Sequence, residues 1–217
     1  MSSTRRLVCL TGIAAFALMM VAGCYPGLDR SLTDYDLVGT RYDPDINFDD
    51  LISYEIADSV VFIEDGESSE LDQRTQDRIL DRVNTNMQNL GWTLDRDPNV
   101  AADVVMLVSV VRLTNSSWWI DYPWWGWWGW YPGWPPGWGP GWGPGYGWGV
   151  PIVYTYETGT IVVEMISVND ADENSQTVPL AWAGAGNGLL SNSDQASLDR
   201  VLTAIDAMFE QSPILIK

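Results

Sequence analysis

Between Trp118 and Trp148 the chain is built almost wholly from tryptophan, glycine, proline and tyrosine, and this segment constrains the fold more than any other. It holds eleven of the thirteen tryptophans and a single charge, Asp121. Pro132, Pro135, Pro136, Pro140 and Pro144 recur too closely for a helix or a continuous ladder, because each removes a backbone donor. The tryptophans follow neither a strand period nor a coiled-coil period, so residues 118–149 read as a long irregular insertion. The regular elements must come from either side of it.

Upstream, Ile52 to Ile63 has strand-like composition and ends at the acidic turn Glu64-Asp65-Gly66-Glu67. Ser69 offers an N-cap with Asp72 three residues on. Leu71, Ile79, Leu80, Val83, Met87 and Leu90 then recur at helical spacing until Gly91, which predicts a helix. Asp103 to Leu113 is dense in valine with apolar residues on both faces, the pattern of a central buried strand.

Downstream, Thr160 to Val168 places Ile161, Val163 and Met165 on one face and Val162, Glu164 and Ile166 on the other. Val178, Leu180 and Trp182 form a period-two set beside Pro179, which points to a strand at or near an edge, with Trp182 as a core aromatic. The glycines of Ala183-Gly184-Ala185-Gly186-Asn187-Gly188 lack phosphate-loop spacing and read as a flexible link. Ser193 can cap a last helix with Leu198, Val201, Leu202, Ile205, Met208 and Phe209 on one face, closed by Ser212-Pro213. The expected fold is α+β: a mainly antiparallel sheet of about five strands with two helices packed on one face.

The start of the chain reads as an export signal. Arg5 and Arg6 precede an apolar run from Leu7 to Val21, shorter than the roughly 20 residues of a membrane-spanning helix. Val21-Ala22-Gly23-Cys24 resembles the lipobox of bacterial lipoproteins. The resemblance implies that residues 1–23 are removed and that Cys24, the lipid-attachment residue, becomes the N-terminus as a thioether to diacylglycerol. Each buried methylene contributes about 0.8 kcal/mol, and two or more acyl chains anchor a protein stably on a membrane. Tyr25 stands where an inner-membrane retention signal has aspartate, so the expected place in a Gram-negative cell is the outer membrane, facing the periplasm. Residues 24–47 are polar and read as a tether, leaving 48–217 as one domain.

Charge and missing residue types narrow the function. The net charge is −18, and losing Arg5 and Arg6 makes it more negative, which argues against nucleic acid and against basic binding to anionic lipid. Cys9 leaves with the signal, so apart from Cys24 the mature chain has no thiol. With no histidine and Lys217 as the only lysine, the customary bases and nucleophiles are missing, and neither an enzyme nor a cofactor is expected. Asp43, Asp45, Asn47 and Asp49 are spaced like the start of a calcium loop. However, Phe48 stands where the sharp-turn glycine belongs and Tyr54 where the bidentate glutamate belongs, so no metal site is expected there. Asn169-Asp170-Ala171-Asp172-Glu173 reads as a solvated turn.

Taken in order, these pieces resemble a family of bacterial lipoproteins grouped as domain of unknown function 4136. The likeness rests on the Cys24 lipobox, Phe48 with Tyr54, Asp95-Arg96-Asp97-Pro98-Asn99-Val100-Ala101-Ala102-Asp103, Gly159-Thr160-Ile161-Val162-Val163, Leu180-Ala181-Trp182-Ala183-Gly184, and the closing helix into Ser212-Pro213. Ala183 departs from the basic residue that often follows the tryptophan. The resemblance implies an α+β envelope domain and supplies no catalytic residue.

The functional expectation is therefore a non-enzymatic envelope lipoprotein. Its contact surface would be Trp119, Trp124, Trp125, Trp127, Trp128, Trp130, Trp134, Trp138 and Trp142, meeting an envelope protein, a glycan or the bilayer itself, since indoles settle at all three kinds of surface; otherwise the segment is a low-complexity hairpin insertion, partly folded back over the sheet, with no ligand. The alternative is a binding module for a small apolar ligand or glycan in a cleft beside the loop.

Overall fold

The computed structural model describes residues 37–64, 67–97, 100–112, 143–145, 159–172, 174–187 and 194–217. All belong to the compact unit Tyr35–Lys217. Among the described residues nine strands run in chain order: β1 Leu37–Tyr42, β2 Ser53–Ile56, β3 Val61–Glu64, β4 Glu67–Ser69, β5 Thr93–Leu94, β6 Val104–Arg112, β7 Gly143–Gly145, β8 Thr160–Ser167 and β9 Thr177–Asn187. Two helices, α1 Gln73–Asn89 and α2 Asp194–Glu210, complete the main elements.

The valine-rich β6 is the centre of the sheet. On one side it pairs antiparallel with β8 from Val104↔Ser167 to Val111↔Thr160. On its other side two strands lie end to end, both parallel to it: β2 along Val104–Met106 and β3 along Ser109–Arg112. The single strand expected across Ile52 to Ile63 is thus broken after Ile56, and Ala57 N–H still reaches the Met106 carbonyl at 3.0 Å. The full order is β1-β9-β8-β6-β2-β5, with β3 and β4 beside the far half of β6 and β7 paired to β9.

The main sheet has eight strands and is mixed, where about five in a mainly antiparallel arrangement were expected. The reason is α1: a helix crossing between β4 and β5 returns the chain in the direction it came from, and parallel pairing follows. The domain also starts earlier than Phe48. All of β1 pairs with β9, from Leu37↔Asn187 to Tyr42↔Trp182, inside the segment read as tether.

Local chemistry sets the helix ends. Asp72, not Ser69, caps α1, its carboxylate accepting from the Thr75 N–H at 3.1 Å, while Ser69 lies in β4. Gly91 follows the helix with φ of +95°, a conformation that glycine adopts at little cost. Arg78 faces Asp199 at 3.6 Å and Arg82 faces Asp206 at 2.5 Å, so α1 and α2 run in the same direction. Ser193 lies outside the described residues.

Both helices pack on one face of the sheet. Ile79, Val83 and Met87 of α1 and Leu198, Leu202, Ile205 and Met208 of α2 share a core with Val104, Met106, Val108, Ile161, Val163, Met165 and Trp182. The Trp182 indole N–H donates to Ser212 Oγ at 2.8 Å, and its ring lies 5.3 Å from that of Phe209. Val178 and Leu180, expected to share its face, belong instead to a cluster with Val105, Leu107 and Ile166. A bulge accounts for the difference: Met165 pairs with Trp182 but Ile166 with Leu180, so Ala181 is an extra residue that reverses the alternation. The spare Ala181 carbonyl accepts the Asp43 N–H at 2.8 Å. β9 lies near the edge of the sheet, as expected, with β1 outside it; Pro179 lies in its first residues, before pairing with β1 begins at Trp182.

Ala183 to Asn187, expected as a link, are strand, and their glycines let α2 approach. A Cβ on Gly184 would lie 2.8 Å from Trp182 Cη2 and 2.9 Å from Met208 Sδ, and one on Gly186 would lie 2.8 Å from Ala204 Cβ. At Gly39 a Cβ would meet nothing within 4 Å. At the opposite end of β6, Asp103 ties three segments together. Its carboxylate accepts from Ile52 N–H and Ser53 N–H at 2.8 Å, Ser53 Oγ at 3.0 Å and Asn169 Nδ2 at 2.8 Å.

Two measurements check this account. In thermal unfolding, Gly184→Ala should destabilise by about 1–3 kcal/mol through overpacking, whereas Gly39→Ala should stay within about 0.5 kcal/mol of the parent. Partial burial raises the Asp103 pKa, but its hydrogen bonds outweigh that and hold it below the ordinary 3.8. Its contribution is present above that value and is lost as pH falls through the folded-state value. Asp103→Ala should therefore cost about 1–2 kcal/mol at neutral pH, discounted for solvent exposure, and close to nothing in strong acid.

Candidate functional site

The insertion, residues 118–149, falls between Arg112, where β6 ends, and Gly159, just before β8, at one end of the two central strands. Val111 and Thr160 are partners in the β6–β8 ladder, so the two roots are adjacent. Because α1 and α2 are parallel, both helix N-termini come to this end. Between them and the sheet lies a cavity of about 190 Å3 lined by both roots of the insertion, by Phe62, Leu71, Ile79, Val110, Leu198 and Val201, and by Asp72, Thr75, Asp194 and Ser197 at the rim. Arg112 is an ion-pair partner of Glu64, which lies opposite it in the β3–β6 ladder, and its guanidinium sits 5.7 Å from the Phe62 ring centroid. The cavity is an apolar hollow with an acceptor-rich rim. Its neighbouring cation is already paired.

On the other face of the sheet a second feature stands out. Val105, Leu107, Ser109, Val162, Glu164, Ala183 and Ala185 point away from the helices, and all are at most 5 % exposed. Glu164 sits in their middle, with Leu107 and Ala183 as cross-strand partners. Burial raises its pKa to about 7. Charged groups on the same face are Arg41, which pairs with Ala183 two strands away, and Glu55 on β2. The signal for this group was in the sequence, as a lone carboxylate in a strand otherwise apolar on both sides.

Cys24 and the nine tryptophans chosen as a contact surface lie outside the described residues. The loop Asp43 to Asp49 is occupied by its own turn: Asp43 Oδ1 accepts the Asp45 N–H at 2.9 Å, and the Asn47 amide donates to Asp50 at 2.7 Å. Asp172 likewise accepts from Asn174 N–H and Ser175 Oγ, at 2.8 and 2.7 Å. Among the described residues no three acidic side chains are grouped as metal ligands, and no helix is long and apolar enough to cross a membrane. Lys217 donates to the Phe48 carbonyl and lies 4.1 Å from the Trp92 ring centroid, and burial lowers its pKa.

Compared with known proteins, residues 38–214 match the family model described as "Domain of unknown function (DUF4136)". The chain belongs to this family. A crystal structure of a DUF4136 family protein from Bacteroides thetaiotaomicron is similar over 83 % of this chain and 97 % of that one, with 28 % identity and a TM-score of 0.61. A PelC dodecamer from Paraburkholderia phytofirmans aligns over 84 % of this chain and 99 % of that one, at 12 % identity and a TM-score of 0.40. A PDZ domain protein from Parabacteroides distasonis aligns over 82 % and 36 %, at 14 % identity and 0.41. No curated protein matches the chain.

For this DUF4136 chain, Glu164 provides a test of the sheet's second face. The folded state holds its proton more tightly than the unfolded state, so its contribution is complete below the ordinary 4.5 and is lost as pH rises through about 7. Glu164→Gln should match the parent near pH 4.5 and exceed it at pH 8 by up to about 3 kcal/mol in chemical denaturation.

Proposed function

We propose that this protein is a non-enzymatic lipoprotein of the cell envelope, held on the membrane by acyl chains on Cys24, whose aromatic insertion contacts another envelope component. In a Gram-negative cell its place is the outer membrane, facing the periplasm. The observation that carries the reading is where the insertion is rooted. It leaves and rejoins the sheet at adjacent ends of β6 and β8, the two central strands. A tryptophan-rich segment on so firm a base is presented to a partner with little of the domain needing to move. The lack of histidine, of a thiol other than Cys24 and of any lysine but Lys217 in the mature chain supports a binding role over a catalytic one.

The cavity at the roots favours a second reading, a binding module for a small apolar ligand or glycan beside the aromatic loop. Its apolar walls and acceptor-rich rim suit a ligand with an apolar body and hydroxyl or N–H donors.

Cells carrying Cys24→Ala should release the protein from the membrane fraction, and deleting residues 118–148 should abolish cross-linking to its partner while leaving membrane attachment intact. Retention of Cys24→Ala on the membrane would overturn the anchor, and unchanged cross-linking after the deletion would overturn the contact role. For the second reading, envelope glycans and short-chain lipids titrated against tryptophan fluorescence should give a saturable change, which Leu198→Trp, filling the cavity, should suppress.

A further inference from the structure

We infer that the cavity between α1, α2 and the sheet takes the end of an alkyl chain, about six carbons deep, whose head group at the rim is a positively charged amine. The inference rests on the second reading of that cavity, as a site for a small ligand, and names the class of ligand.

The first ground is the wall. Phe62, Ile79, Leu198 and Val201 line the space and are 1–8 % exposed. Thr160, the buried polar residue of the lining, already donates its hydroxyl to Asn187 Oδ1 at 3.1 Å. Among the described residues no buried side-chain nitrogen or oxygen lacks a hydrogen-bond partner. A sugar, with hydroxyls all round its ring, would leave several of them unpaired against such walls, and each unpaired hydroxyl opposes binding. An alkyl chain has none to lose.

The second ground is size. The volume of about 190 Å3 exceeds the roughly 150 Å3 of a cavity with similar walls that takes up benzene. At about 30 Å3 for each water-sized group it holds about six chain carbons. A longer chain would carry its head beyond the rim.

The third ground is the charge at that rim. Arg112 is neutralised by Glu64, which leaves the exposed carboxylates of Asp72 and Asp194. Hydrogen bonds from the Thr75 hydroxyl and N–H hold the Asp72 carboxyl below its ordinary 3.8, so it is charged at neutral pH. Each helix N-terminus offsets about half a charge, and about one negative charge is left over. A carboxylate or phosphate head is repelled there and an ammonium is attracted. Each Asp72 oxygen accepts once from Thr75, at 3.1 and 2.6 Å, and keeps a lone pair for a further N–H.

The test titrates butylamine, hexylamine, hexanol, hexanoate and N-acetylglucosamine at neutral pH into the whole chain carrying Cys24→Ala, purified without detergent, and follows methyl NMR signals. Affinity should rise about fourfold per carbon from butylamine to hexylamine, and hexylamine should bind about tenfold more tightly than hexanoate. Overhauser contacts from hexylamine should fall on the methyl groups of Ile79, Leu198 and Val201. Asp72→Asn, which keeps an N-cap acceptor, combined with Asp194→Asn should remove most of the preference over hexanoate and leave hexanol affinity within about twofold. If that double variant does not fold, the head-group comparison on the parent decides alone. Binding of N-acetylglucosamine in the cavity, hexanoate binding as tightly as hexylamine, or a preference that survives the double variant would overturn the inference and leave the cavity as a ligand site. No binding by any probe, or contacts only outside the cavity, would overturn the second reading with it.

Discussion

The fold depends on the ladder between β6 and β8, because both strands are apolar on both faces. From Val104↔Ser167 to Val111↔Thr160 the paired residues are buried or nearly so on either side. A half-buried pair of strands would need one covering layer. This pair needs two, and much of the rest of the architecture follows. The two helices supply one layer, and the other face, with Glu164 at its centre, calls for a second.

Packing on the helix side works through removal of bulk. Gly184 and Gly186 bring α2 against β9 closely enough that a methyl group at either would collide with Trp182, Met208 or Ala204. The bulge at Ala181 turns Trp182 into this core, where its N–H finds Ser212, whose hydroxyl in turn donates to the Met208 carbonyl at 2.8 Å. A buried indole without a partner for its N–H would lose much of what its burial contributes. The Asp103 network and the Trp92 indole, which donates to the Leu215 carbonyl at 2.7 Å, close the other end of the domain.

Much of the candidate site could be read from residue order, but its geometry could not. The insertion announced itself by tryptophan, glycine and proline, and its position between two strong strands placed its roots. The cavity between those roots was not legible, since it depends on α1 and α2 running parallel. That direction is written in Arg78–Asp199 and Arg82–Asp206, pairs separated by more than a hundred residues. The role of Glu164 depends on burial from both sides of the sheet, which a single strand's pattern does not reveal.

By itself the sequence determined the α+β class, both helices, the central valine strand and the family likeness. These rest on short-range periodicity and on turn and cap chemistry, which neighbouring residues decide among themselves. Only the tertiary structure decided that Leu37 to Tyr42 is strand, that the sheet is mixed, that Asp72 is the α1 cap, and that Ala183 to Asn187 are strand. All but the cap depend on a partner far away in the chain; Asp72, accepting from Thr75 three residues on, takes the cap because Ser69, in β4, pairs with Phe62. A bulge of one residue at Ala181 reverses which face a side chain occupies, and glycine reads as a linker until the helix that needs its space is in place.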